Sequence, residues 1–479
     1  MFDIFIIGGG INGSGIARDA AGRGYKVGLA EQFDFGSQTS SWSTKLIHGG
    51  IRYLENYEFS LVQESLKERE VINKIARNIS NPMEFILPHV PSLRSSWIIQ
   101  TGLFLYDFLA GKSKFSKSKK LNFKGESLEF LSQKYEYGYQ YSDLQIDDSR
   151  LTLLNILDAQ KNGAVVKNYT KVLSARKTKD GWEISLSNGQ KYLTKFLINA
   201  SGPMISKTFE SVLPLKSLYP IRLIQGSHII VKKLYEENKS YILQQPDKRI
   251  VFIIPYLDKY SLIGTTELEV ESATKPQITN EEKEYLIECV NRFAKDKLSI
   301  KDILWNYSGV RPLIVDNSKS ISRNSRDYHL DVQLKSSHLI NIFGGKLTTY
   351  RKLSEKTVDE IDKYLRNKIK HWTHLKSLPG CENEPQITNT FGLDQNIITR
   401  ITRTYGDLTQ KVLNCMENYD GPGDNICGNL YEFEIYYLVK NEFAKNSDDI
   451  LFRRSKLGIE FNKNEIRTKI DEIIKKLNN

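Results

Sequence analysis

Three glycines spaced as Gly8-x-Gly10-x-x-Gly13 stand between an apolar run, residues 2–7, and a stretch with Ile16, Ala17, Ala20 and Ala21 at helical spacing. Between a strand and a helix, that spacing is suited to holding a pyrophosphate. Gly8 permits the tight turn, Gly10 lets the backbone approach the phosphates, and Gly13 lets the helix pack on the strand. The N–H groups at the helix start, together with its dipole, attract the phosphate charge. Glu31 closes the second strand 18 residues after Gly13. Its carboxylate accepts hydrogen bonds from ribose hydroxyls and repels a 2′-phosphate. The chemistry these residues serve is dinucleotide binding.

Two further strand ends have the same character. One is Phe196-Leu197-Ile198-Asn199-Ala200-Ser201-Gly202-Pro203, the other Asn341-Ile342-Phe343-Gly344-Gly345-Lys346-Leu347-Thr348-Thr349. Amides at the second can face a flavin pyrimidine, where negative charge builds up on reduction. Three such ends suit an extended FAD across a sheet edge. No second glycine fingerprint for a nicotinamide cofactor accompanies them.

The elements that must position these ends follow from periodicity. Residues 2–7 and 25–30 read as buried strands around a helix over 11–23. Helices are expected at 59–77, 151–162, 280–296 and 347–365, and a Lys-rich exposed loop at 112–124. Residues 216–320 are β-rich, and the chain turns helical and charged after Pro379-Gly380. The reading is an α/β protein in three parts. A Rossmann-like nucleotide-binding domain takes 1–75, 140–215 and 325–380; an antiparallel β-rich substrate domain takes 76–139 and 216–324; a helical C-terminal domain takes 381–479.

The 479 residues are ample for such a core, and with 40% hydrophobic and 26% charged residues the chain reads as globular rather than disordered. Its four cysteines, with no C-x-x-C pair, argue against a zinc site or a disulfide framework and suit a reducing compartment. The net charge of +11 attracts phosphorylated substrates, an anionic membrane or nucleic acid, and equally serves solubility alone. No secretory signal or apolar run of about 18 residues is visible, so the expected place is the cytoplasm or a membrane surface.

The segment Ser40-Ser41-Trp42-Ser43-Thr44-Lys45-Leu46-Ile47-His48-Gly49-Gly50-Ile51-Arg52-Tyr53-Leu54-Glu55 resembles the signature of the flavin-dependent sn-glycerol-3-phosphate dehydrogenases. So do Gly102-Leu103-Phe104-Leu105-Tyr106-Asp107, Gly309-Val310-Arg311-Pro312-Leu313, Gly344-Gly345-Lys346-Leu347-Thr348-Thr349-Tyr350-Arg351, and the stretch 434–458. The resemblance spans nearly the whole chain. It implies oxidation of sn-glycerol 3-phosphate to dihydroxyacetone phosphate on FAD, with electrons passed to a membrane quinone. It also implies FAD contacts at Gly8, Gly10, Asn12, Gly13, Glu31 and Gln32, then at Ser40, Ser41, Thr44, Lys45, Leu46, His48, Gly49 and Gly50. Val172, Ala200, Gly202, Gly345, Lys346, Leu347 and Thr348 complete the set.

Oxidising a secondary alcohol requires a base for its hydroxyl proton and cations for its phosphate. His48, one of seven histidines and next to Gly49-Gly50, is suited to the base. The other readings are a histidine that only hydrogen-bonds flavin or substrate, and a core histidine. Arg52, Arg311 and Lys346 are the expected pocket cations, Arg311 and Lys346 also serving catalysis, and Tyr53 offers a hydroxyl to the same ligand. Which cation meets the phosphate and which the C2 oxygen is left open.

Residues 97–110, followed by Lys112, Lys114, Lys117, Lys119 and Lys120, read either as a docking face for an anionic leaflet or as a core segment before a solvated loop. The expectation from the resemblance is peripheral attachment to the inner face of a bacterial cytoplasmic membrane, with a homodimer as a further partner. An oxygen-using glycerol-3-phosphate oxidase is the nearest rival, disfavoured by the lack of an insertion. A flavin-containing nucleic-acid-binding protein is a second, disfavoured by dispersed lysines and the absence of stacking aromatics, so no nucleic-acid partner is expected. Met204 after Gly202-Pro203, the Lys-rich 112–124 and a short C-terminal domain depart from the family pattern.

Overall fold

A computed structural model of the chain describes residues 1–125, 128–213, 215, 219–314, 328–419 and 421–478. The expected boundary between the β-rich segment and the third nucleotide-binding piece falls on 315–327, outside the described residues.

Apolar Phe2–Ile7 forms the centre of a parallel sheet, flanked by Lys191–Asn199 and Val27–Ala30. Leu339–Phe343 and Val165–Lys167 extend it in parallel, and His329–Gln333 adds an antiparallel edge. Helix Ile11–Gly22 packs between Asp148–Lys161 and Tyr350–Leu365 on one face, burying Ile16, Ala17 and Ala20 against Ile4 and Ile6. A hairpin, Val172–Thr178 with Gly181–Leu186, and the helix Ile205–Ser211 cover the other face. This three-layer arrangement is a Rossmann-like FAD-binding fold.

The second sheet runs in the order Leu268–Val270, Ile221–Lys232, Tyr260–Gly264, Ile250–Tyr256, Lys239–Gln244, Ser80–Pro88, Tyr137–Ile146, Leu46–Ile47. Ile303–Ile314 pairs with Ile221–Lys232. All these pairings are antiparallel except that of Lys239–Gln244 with Ser80–Pro88. Leu46–Ile47 and Tyr137–Ile146 lie largely inside the pieces the sequence allots to the nucleotide-binding domain, yet they pair in this sheet. The chain thus passes between the two sheets through the very segment that carries His48. The stretch expected as a loop at 112–124 contains a strand, Lys119–Asn122, paired with Tyr137–Ile146. Leu121 is buried while Lys119 and Lys120 face outward, so a single apolar residue among lysines secures the pairing.

The C-terminal part has its own core, from Ile397 to Ile474, built by helices that include Gln395–Tyr405, Glu432–Asn441 and Asn464–Asn478. A short hairpin, Asn425–Cys427 with Leu430–Tyr431, interrupts the helices there.

Candidate active site

The carboxyl ends of Phe2–Ile7, Val27–Ala30, Lys191–Asn199 and Leu339–Phe343 open into one cavity, which the second sheet closes from the other side. Ligands of open α/β sheets bind at this edge. Gly8, Gly10, Asn12, Glu31, Gln32, Ser40, Thr44, Leu46, His48 and Tyr53 line it, with Val172, Ala200, Gly202, Arg311, Gly345, Lys346, Leu347 and Thr348.

The residues present fit FAD. Gly8 has φ +105°, and a Cβ there would lie 2.5 Å from the Ala200 carbonyl oxygen, so only glycine keeps the phosphate loop this close to the next strand. A Cβ on Gly13 would lie 2.0 Å from the Gly8 carbonyl oxygen, which gives this glycine a packing role behind the loop. Gly10 caps helix Ile11–Gly22 without any side chain of its own; Ser40 Oγ takes the Ile11 amide at 2.9 Å, and the positive end of the helix still faces the cavity as a place for an anion. Glu31 accepts the Gly9 amide at 2.7 Å and the Phe33 amide at 2.9 Å, fixing its carboxylate at the ribose end. Burial raises that carboxyl above its ordinary value, against the pull of these donors. Asn12 donates to the Gly344 carbonyl at 3.1 Å, while its Oδ1 is buried with no hydrogen-bond partner among the described residues.

Side chains alternate along 44–49. Thr44, Leu46 and His48 face the cavity; Lys45, Ile47 and Gly49 face away. Lys45, expected at the cofactor, instead pairs with Asp148 at 2.7 Å and lies over the Tyr307 ring. Gly49 donates its amide to the Tyr106 hydroxyl at 2.9 Å. Ser41 donates to the Gly36 carbonyl at 2.7 Å, outside the cavity. Gly50, φ +74°, begins the turn Ile51–Asn56, and a Cβ there would meet the Tyr53 ring at 2.1 Å. Its role is to let Tyr53 fold back over the site, and Arg52 stands outside the cavity wall.

The helix expected from 347 begins at Tyr350, so Lys346, Leu347 and Thr348 belong to the preceding turn. Lys346 Nζ sits 3.7 Å from the Tyr53 ring centroid, a cation–π contact that aims the ammonium along the cavity wall. The His48 amide donates to Thr348 Oγ1 at 3.2 Å, tying the histidine to an element 300 residues away. Arg311 projects from Ile303–Ile314, where Glu267 Oε1 lies 3.8 Å from its Nη2.

Sequence reasoning missed His228, Thr265 and Glu267. His228 lines the cavity on the same face of its strand as Gly226, and its Nε2 is 3.0 Å from Thr44 Oγ1. The glycine that makes room for the imidazole stands on the neighbouring strand, where a Cβ on Gly264 would lie 2.1 Å from His228 Cδ2. Burial, then the charges of Lys45 and Arg311, push this ring down to about 3. It is therefore a neutral hydrogen-bonding group at working pH. The unfolded chain binds that proton near pH ~6.5, so stability is intact above that pH and falls by about 1.4 kcal/mol per unit as the pH drops below it. Between pH 7 and pH 5, wild type is expected to lose about 2 kcal/mol that His228→Asn does not lose. Urea unfolding at the two pH values measures it, and equal losses would contradict a neutral His228.

Parallel strand ends around an elongated groove, one of them carrying Lys346, closed by a second sheet bearing an imidazole and the Arg311 guanidinium, define a flavin-dependent oxidoreductase. Residues 3–351 match the FAD dependent oxidoreductase family, and residues 371–478 match the C-terminal domain of alpha-glycerophosphate oxidase. A Pseudomonas aeruginosa glycerol-3-phosphate dehydrogenase is 45% identical over 96% of this chain and 92% of its own. A Brucella abortus D-erythritol 1-phosphate dehydrogenase is 40% identical over 95% and 94%. The solved glycerol-3-phosphate dehydrogenase of Bacillus halodurans, complexed with FAD, shares the fold at TM-score 0.74 and 24% identity, covering 100% of this chain and 94% of its own. The chain belongs to the FAD-dependent glycerol-3-phosphate dehydrogenase family.

Proposed function

We propose that the protein oxidises the secondary hydroxyl of sn-glycerol 3-phosphate, giving dihydroxyacetone phosphate, and delivers the electrons to a membrane quinone. The observation that carries this reading is the meeting of His48, Arg311 and Lys346 with the three glycine-bearing strand ends in one cavity. FAD, when bound, supplies the acceptor for the hydride that leaves the alcohol carbon. The protein does the rest. His48 takes the hydroxyl proton, which makes the hydride easier to release. Arg311 presents a fork that matches two phosphate oxygens, and Glu267 orients that fork. Lys346, steadied by the Tyr53 ring, balances charge that develops beside the oxidised carbon. His228 and Thr44 add uncharged hydrogen-bonding groups that leave the phosphate to the cations.

A second reading, a longer polyol phosphate such as a tetritol phosphate, is favoured by the Brucella relative's activity. The two are separated by kcat/KM on glycerol 3-phosphate and D-erythritol 1-phosphate; a tenfold preference for the tetritol would overturn the glycerol assignment.

The acceptor reading rests on the surface. Helix Ser96–Ala110 buries Ile99, Leu103 and Tyr106 and exposes Trp97, Phe104 and Phe108, at 68%, 68% and 72%. Exposed Lys112, Lys114, Lys119 and Lys120 follow it. An aromatic stripe beside clustered positive charge matches an anionic bilayer, where each buried ring contributes about 1.5–3 kcal/mol. No helix of the described residues is long and apolar enough to cross a membrane. Phe104→Ser/Phe108→Ser is expected to reduce co-sedimentation with phosphatidylglycerol vesicles at least tenfold, with turnover on a soluble dye unchanged. Undiminished vesicle binding would remove this face from the membrane reading. Adding a quinone analogue or oxygen to substrate-reduced protein tests the acceptor: reoxidation faster with oxygen would favour an oxidase.

A further inference from the structure

The segment between Glu31 and Ser40 touches the cavity at both ends, through Glu31 and Gln32 and again through Gln38, Thr39 and Ser40. Its middle turns the other way. Asp34 is fully buried and accepts from Arg453 Nε at 2.6 Å and from Arg454 Nη2 at 2.9 Å, with Arg454 Nη1 as a third donor. Both arginines sit on one π turn of the C-terminal domain, Asp449–Arg454, and both are buried. Arg454 also donates to the Glu442 carbonyl at 2.7 Å, and Arg453 pairs with Asp449.

The neighbours of Asp34 carry the contact to the phosphate loop. The Phe35 ring fills the space a Cβ on Gly9 would need, and it meets Phe443 edge-on at 5.3 Å. The Gly36 amide donates to the Gly9 carbonyl at 3.0 Å. Ser40 Oγ accepts the Ile11 amide at 2.9 Å, at the start of the pyrophosphate helix. On the other side, the Glu31 carbonyl accepts from Thr170, whose neighbour Asn168 donates to the Phe443 carbonyl at 2.8 Å. These bridges reach the loop at Asp34, two residues from Gln32, and at Phe35, whose ring packs behind Gly9 between the wall residues Gly8 and Gly10.

We propose that Arg453 and Arg454, through Asp34, are positioning residues for cofactor retention: the C-terminal domain holds segment 31–40 in the shape whose two ends grip FAD. None of the three lines the cavity, so substrate binding and chemistry are not their business. A buried carboxylate shared by two guanidiniums has one low-energy geometry, and losing a partner leaves an uncompensated charge that the loop relieves by moving.

The test is FAD titration of the full-length apoprotein, followed by flavin fluorescence, which does not depend on which alcohol is oxidised. Arg454→Met is expected to raise the FAD Kd at least fivefold, with Arg454→Lys recovering part of it. At saturating FAD, kcat and KM stay within twofold of wild type. A Kd raised less than fivefold, even with lower thermal stability, would reduce the cluster to plain domain docking and overturn the proposal. So would a normal Kd with reduced kcat. Should Arg454→Met fail to fold, Asp34→Asn, which preserves shape and removes the shared charge, is read by the same criteria.

Discussion

Replacing Arg311 by alanine lowers kcat/KM for glycerol 3-phosphate by about 10²–10⁴, while the slow oxidation of unphosphorylated glycerol is unchanged. Two charge-assisted hydrogen bonds from one guanidinium to phosphate, each contributing about 1.5–3 kcal/mol, are lost, and each 1.4 kcal/mol is about tenfold. The effect on the phosphorylated substrate exceeds that of a surface arginine because Arg311 lines the cavity, with Glu267 3.8 Å from its Nη2. Arg311→Lys keeps the charge but not the fork, so it recovers only part of the loss. The comparison of phosphorylated and plain alcohol checks the assignment: equal losses on both would move Arg311 from phosphate recognition to the reacting carbon.

His48→Ala is the second large effect, a fall in kcat of about 10²–10⁴ with little change in substrate affinity, the range for removing a positioned general base. The wild-type profile of kcat/KM rises with pH as the base deprotonates, and the variant loses this limb. His228 does not supply it instead, because burial and the nearby Lys45 and Arg311 charges hold that ring neutral down to about 3. A His48→Ala enzyme that keeps both its rate and its acid limb would return His48 to a merely hydrogen-bonding role.

Much of the molecule was legible before its structure. The fingerprint Gly8-x-Gly10-x-x-Gly13, the strand ends at Ala200 and Gly345, and the cations Arg311 and Lys346 lie in one contiguous stretch of chain each, and each announces itself by glycine or charge next to an apolar strand. What was hidden depends on pairings between distant strands. His228 reaches the cavity only because Ile221–Lys232 and Ile303–Ile314 pair in the register His228 to Tyr307, and no local spacing encodes that register. Lys45 shows the converse: it belongs to the family-like run 40–55, yet side-chain alternation turns it away onto Asp148. The C-terminal contribution to the cofactor loop was likewise invisible, since Asp34 and Arg454 are 420 residues apart and nothing near either one points to the other.

The most direct test of the account is anaerobic mixing of the FAD-loaded protein with glycerol 3-phosphate, with flavin absorbance followed in time. The account predicts fast bleaching by glycerol 3-phosphate and far slower bleaching by glycerol at the same concentration. A flavin that dithionite reduces but glycerol 3-phosphate leaves oxidised would contradict it, leaving an FAD-dependent oxidoreductase with a different alcohol or amine as its substrate.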